Sequence, residues 1–150
     1  MLMGDWLGQN WFILLQSVGI VGSLLFTAAA LREDTKTRRV ANLITITGHH
    51  REIWAQLFRR PELARVLDPH ADVQRKPVRV EESLFINLLI LHLRSVFHAI
   101  KQGLYLKPEG LGKDIAWFFS LPIPKTVWAK SKALQDEAFV AFLEAARDED

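Results

Sequence analysis

Cysteine is absent from this chain of 150 residues. That excludes disulfide staples, thiol nucleophiles and cysteine-ligated zinc or iron–sulfur sites. Lysine and arginine are absent before Arg32, so there is no basic n-region of the kind that opens a secretory signal peptide, although Ala28-Ala29-Ala30 resembles a cleavage site. Glycine is scarce, at 8 residues, and it builds no phosphate loop. In EGLGKDI, Asp114 stands where Ser or Thr is needed, and Lys107 occupies the place of the first glycine. There is no GxSxG elbow. Alternation with period two is never sustained, so no strand is predicted.

What is present begins with WFILLQSVGIVGSLLFTAAALREDTKTRR, residues 11–39. Residues 11–31 carry no charge, and as a helix they measure about 31 Å, the thickness of a bilayer's hydrocarbon core. Trp6 and Trp11 stand where an aromatic belt would lie. The reading is a membrane span over 11–31 between a short extracytoplasmic tail, 1–10, and a cytosolic domain, 32–150. Orientation follows from charge. All 19 Lys and Arg come after the span, and Arg32, Lys36, Arg38 and Arg39 follow it directly. These four form a basic membrane-surface set, and the positive-inside rule puts them in the cytoplasm.

Within the span, Gln16, Gly19, Ser23 and Thr27 recur at spacings of three and four. They line one helix face as successive small-xxx-small pairs, a pattern that lets backbones approach in lipid. The opposite face, with Ile13, Leu14, Ile20, Val21, Leu24 and Leu25, is bulky. The expectation is association through the small face, with another copy or with a partner's span.

Beyond the span, helical periodicity dominates. Val40, Leu43, Ile44, Thr47, Trp54, Leu57 and Phe58 predict a helix over 36–60, with a possible bend at Gly48. Pro61 opens a short helix, PELARVL. Residues 70–79 read as a loop. Residues 80–103 are the strongest helix of the domain, with Glu81 and Glu82 in the first turn and Gly103 at the end. Length would allow this helix to be a second span, but Asn87, His92, Arg94, Ser95 and His98 make it the central buried helix instead. Further helices are predicted over 111–120, over 124–134 with Pro124 at the start, and from a cap at Asp136 to about Arg147. Pro122 and Pro124 should bracket a rigid turn. The fold class is all-α: one transmembrane helix followed by a cytosolic bundle of about five or six helices.

Chemistry has few candidates. His49 and Glu52 stand at i, i+3 and would serve a metal-assisted enzyme only if they faced a pocket beside His92 or His98. The preferred reading of all five histidines is packing or surface, with no metal and no cofactor. Residues 32–79 hold 11 basic and 6 acidic side chains. Within them Arg75 and Lys76, with Arg79, form an anion-binding candidate. The net charge after residue 31 is only +3, from 19 basic and 16 acidic side chains, and no basic stripe is interleaved with exposed aromatics, so nucleic acid is not an expected partner. Trp117, Phe118, Trp128, Phe139 and Phe142 are core, or else a core with a docking groove.

Taken together, the span, LREDTKTRRVANLITITGHHREIWAQLFRRPELARVLDP, WFFSLPIPKTVW and DEAFVAFLE resemble small uncharacterised bacterial single-pass membrane-anchored proteins of the domain-of-unknown-function type. The resemblance implies an inner-membrane location and assigns no chemistry. The function expected is a non-enzymatic, membrane-tethered interaction module at the cytoplasmic face, whose partners are the bilayer and a protein or a second copy. The alternative is an oligomeric membrane effector, in defence or stress, that senses an anionic ligand.

Overall fold

The computed structural model describes residues 2–105 and 107–147, with the side chains of residues 1–9 and of Leu14 outside that description. Among the described residues the chain is 82% helix, without strands. The elements are α1 (Leu2–Arg59), a 3-10 segment (Pro61–Leu67), α2 (Val80–Lys101), α3 (Leu111–Ser120), α4 (Pro122–Ser131), a 3-10 turn (Lys132–Leu134) and α5 (Glu137–Arg147). The chain divides into two compact units, residues 1–40 and 41–150.

The first unit is helical, and its described side chains from Phe12 onward are exposed. Ser17 donates to the Ile13 carbonyl, Ser23 to Ile20 and Thr27 to Ser23, each at 2.8 Å. These hydroxyls are satisfied inside their own helix, which is what lets them sit in an apolar segment. Past the apolar run, Lys36 pairs with Glu33 at 3.5 Å and Arg38 with Asp34 at 2.7 Å.

The second unit is built around α2, which buries Phe85, Ile86, Leu89, Ile90 and Val96. It packs against α4, α5 and the 3-10 segment, while α3 packs on α4 and α5. The two 3-10 segments, α3 and α4 are short, interrupted by prolines and loops. The core therefore depends on large side chains: Phe118 and Phe119, Trp128, Phe139 and Leu143 are all buried. The rings form a chain of contacts. Trp54 meets Phe118 at 5.9 Å, Phe118 meets Phe119 at 5.2 Å, Phe119 meets Trp128 at 5.9 Å, and Trp128 meets Phe139 at 6.1 Å. The mutual angles are mostly edge-to-face, the arrangement the ring quadrupole favours.

Helix ends follow local chemistry. Gly103 (φ 68) follows the end of α2 and Gly110 (φ 86) precedes α3, left-handed positions that a Cβ would strain. The Phe139 amide donates to Asp136 Oδ1 at 2.9 Å, which caps α5.

Several expectations need correction. The helix expected over 124–134 begins at Pro122, and its last three residues are a 3-10 turn. The break lies at Leu121 (ψ 143). Both prolines lie in the first turn of α4, where amides have no helical acceptor and none is missed. Gly48 lies within α1 rather than ending it. Of the stripe expected over residues 36–60, Trp54 and Leu57 pack on the core together with Ile53, while Val40, Leu43, Ile44, Thr47 and Phe58 are exposed.

Candidate functional site

The residues with chemical potential gather where the C-terminal part of α1 meets α2 and α3, inside the second unit. His50, four residues before Trp54, shares its face. Its ring lies 5.3 Å from the ring of His92 on α2 and 5.9 Å from that of Trp54. Together with Leu93, Asp114 and Phe118 they line a small cavity of about 90 Å³. Trp54 Nε1 is buried there without a hydrogen-bond partner. Buried donors are normally satisfied, and the cavity has room for about three waters at ~30 Å³ each.

Burial dominates the electrostatics of this pair. It holds His50 below the usual imidazole range, partly offset by Asp114. His92 is pushed down to about 4, by burial first and then by the neighbouring His50 and His49. Both imidazoles are therefore neutral near pH 7, each with one donor and one acceptor. The arrangement can hydrogen-bond a small polar molecule. Among the described residues, no three His, Cys, Asp or Glu side chains converge as metal ligands.

This differs from the sequence reading at one residue. His49, His50 and Glu52 are all exposed, and of the three it is His50 whose ring lies beside His92. His98 lies instead against Phe97, at 5.2 Å. His50 precedes Trp54 and Leu57, both on the expected stripe, by four and seven positions, which is the signal that puts it on their face.

The basic loop is a structural device. Arg79 donates to Glu82 through Nε (3.0 Å), Nη2 (2.9 Å) and its backbone amide (2.8 Å), and Nη2 also reaches the Glu62 carbonyl. Arg65 grips the same carboxylate through Nη1 at 2.9 and 3.1 Å, and it reaches the Lys76 and Pro77 carbonyls. Glu82 is fully buried. Burial pushes its carboxyl up, but the Arg79 amide and the two guanidiniums outweigh it and leave it below the usual carboxylate range. Of the anion-binding candidates, Arg79 is thus committed to Glu82, and only Arg75 and Lys76 stand exposed. The sequence reading saw Glu82 as a first-turn acid and missed that it is the centre of a buried ion triad.

The aromatic groove is not formed. Phe118, Trp128 and Phe139 are buried and Phe142 is half-buried; Trp117 alone is exposed. Trp128 Nε1 donates to Glu144 at 2.7 Å, so its polar edge is also used internally.

On the apolar segment, Gln16, Gly19, Ser23 and Thr27 are all exposed. A Cβ added at Gly19 or Gly22 would meet no other atom within 4 Å. The small-residue face is open to a neighbour. With the Ser23 and Thr27 hydroxyls satisfied internally, Gln16 is the side chain with donors to spare.

No family model, curated protein or solved structure matches the chain. Among the described residues two helices are long and apolar enough to cross a membrane: the N-terminal helix, with none of its apolar window buried, and α2, with 33% of its window buried.

Proposed function

We propose that this chain is a membrane-tethered helical module, non-enzymatic, anchored by residues 11–31 and presenting residues 32–150 at the cytoplasmic face of a bacterial inner membrane. One observation carries the reading. The uncharged run has no buried side chain in its apolar window, while residues 41–150 complete a core of their own. An apolar surface of this length without a protein cover is stable in lipid and a liability in water. The cations from Arg32 onward support the orientation, since they follow the run and none precedes it. The α2 helix is long enough to span but supports a different role. It carries the buried ion triad at its start and the core on one face, and a lipid-embedded helix would have to abandon both.

The partners in this reading are the bilayer and a second span, met through the Gly19–Ser23–Thr27 face. The effector reading, with an anion sensor at Arg75, Lys76 and Arg79, gains no support from a loop whose Arg79 is tied to Glu82. Fusion of a reporter active only in the periplasm after Asp150 tests the orientation. No signal is expected, and a strong one overturns it.

A further inference from the structure

A second cavity lies on the opposite side of α2 from the histidines, between α2, α4 and the turn that follows α4. Its volume is about 610 Å³, within the range of small-molecule sites. Its lining contains three cations, Arg79, Arg94 and Lys130, and no acidic side chain. Arg79 is engaged by Glu82. Arg94, on α2, is half-buried and makes no ion pair or side-chain hydrogen bond among the described residues. Lys130, on α4, is likewise unpaired. A half-buried guanidinium without an acceptor is unusual, because its planar set of donors is costly to desolvate unless met by an oxyanion. Two helices thus bring unpaired cations to one groove that offers them no counter-charge.

The rest of the lining mixes neutral polar side chains, such as Asn87 and Thr126, with apolar ones. Ile90, Val127, Leu91 and Leu134 are apolar, and the last two are exposed, at 48% and 83%. Apolar surface continues along α2 beyond the groove through Leu84 and Leu88, 61% and 48% exposed. A purely ionic ligand would leave these walls wet, and a purely apolar one would leave Arg94 unmet.

We propose that this groove binds a free single-chain amphiphile with an oxyanion head, a fatty-acid carboxylate or alkyl phosphate. The head lies between Arg94 and Lys130, and the chain lies on Leu91, Val127 and Leu134. The charge complementarity selects the head, and the cavity volume suits one chain. The inference stands on residues 41–150 alone and does not depend on the orientation of the span.

The test is calorimetric titration of the full chain in phosphatidylcholine discs, with empty discs as the blank. The probes are decanoate, decyl phosphate, decanol and acetate. Saturable one-to-one binding of decanoate or decyl phosphate is expected, with decanol at least about tenfold weaker and acetate without measurable binding. Arg94→Gln should weaken the anionic probe about tenfold, the equivalent of ~1.4 kcal/mol. Lys130→Gln and Leu91→Ser should each weaken it severalfold. Both of these positions are exposed, so the fold survives the change, and unchanged helical circular dichroism verifies this. Decanol binding as tightly as decanoate, or affinity unchanged in Arg94→Gln and Lys130→Gln, overturns the proposal. So does the absence of saturable binding by either anionic probe, which would point to an acidic protein segment as the occupant. Loss of decanoate binding in discs containing phosphatidylglycerol would assign the groove to a bilayer headgroup and overturn the free amphiphile.

Discussion

Replacing Glu82 by glutamine should unfold the second unit more readily than any surface change. The carboxylate is fully buried and receives five hydrogen bonds between 2.8 and 3.1 Å. Glutamine keeps the shape but removes the charge from between two guanidiniums. Arg79, with 37% of its side chain exposed, can turn to water; Arg65, at 14%, cannot. Breaking a buried pair by removing one partner costs about 3–5 kcal/mol. The lower end applies, because Arg65 retains the Lys76 and Pro77 carbonyls. At roughly 4 °C per kcal/mol for a unit of this size, the melting temperature should fall by about 12 °C. The assay is thermal melting of the full chain by circular dichroism, repeated with Arg65→Met and with the double variant. The two single losses should exceed additivity, with a coupling above about 1.5 kcal/mol. A Glu82→Gln melt within about 2 °C of the wild type would refute the triad as a stabilising centre.

The pH dependence should have contributions of the same sign from Glu82, His92 and, by its lowered pKa, His50. Glu82 has a folded pKa below its unfolded value, so its stabilisation is present above the ordinary carboxylate range and is lost as pH falls through the lowered folded value. His92 is also lowered, to about 4. The unfolded chain therefore binds the extra proton first, and stability declines as pH drops from about 6.5 toward 4; His92→Gln should reduce the slope over that interval in melts taken across it, the remainder coming from His50, while Glu82→Gln should leave it. Trp128→Phe keeps the ring packing but leaves Glu144 without its indole donor; a loss of about 1–2 kcal/mol is expected in denaturant titration, smaller if Lys132 and Arg147 take up the carboxylate. In a transmembrane-association reporter carrying residues 11–31, Gly19→Ile and Ser23→Ile should lower the signal, and a wild-type signal in both would remove the small-residue face as a self-interface.

The helical fold was readable because its signals are local. Periodicity, the Asp136 cap, the prolines and the long uncharged run all act over a few residues, and α2 and α3 lie where the pattern put them. Within residues 41–59 only part of the covered face was readable: Trp54 and Leu57 were, Ile53 was not. Leu43, Ile44 and Phe58 are as apolar as Ile53 and Leu57, and only the position of the neighbouring helices decides which set is covered. The histidine that meets His92 is His50, not the candidate His49. The buried triad was hidden for a similar reason. Arg65 in a short helix, Arg79 in a polar loop and Glu82 in a first helical turn look like surface charges, and their meeting is set by a contact 17 residues apart in the chain. The same holds for Arg94 and Lys130, which sequence places on separate helices with nothing to say that they share a groove.

The central claim, that residues 11–31 anchor the chain in lipid, is tested most directly by alkaline carbonate extraction of membranes from cells producing the full chain, beside a variant carrying Val21→Arg and Leu24→Arg. Each arginine near the middle of a span costs insertion about 2.5–3.5 kcal/mol. The native chain should stay in the membrane pellet and the double variant should move to the supernatant. Release of the native chain at alkaline pH, with both forms behaving alike, would contradict it.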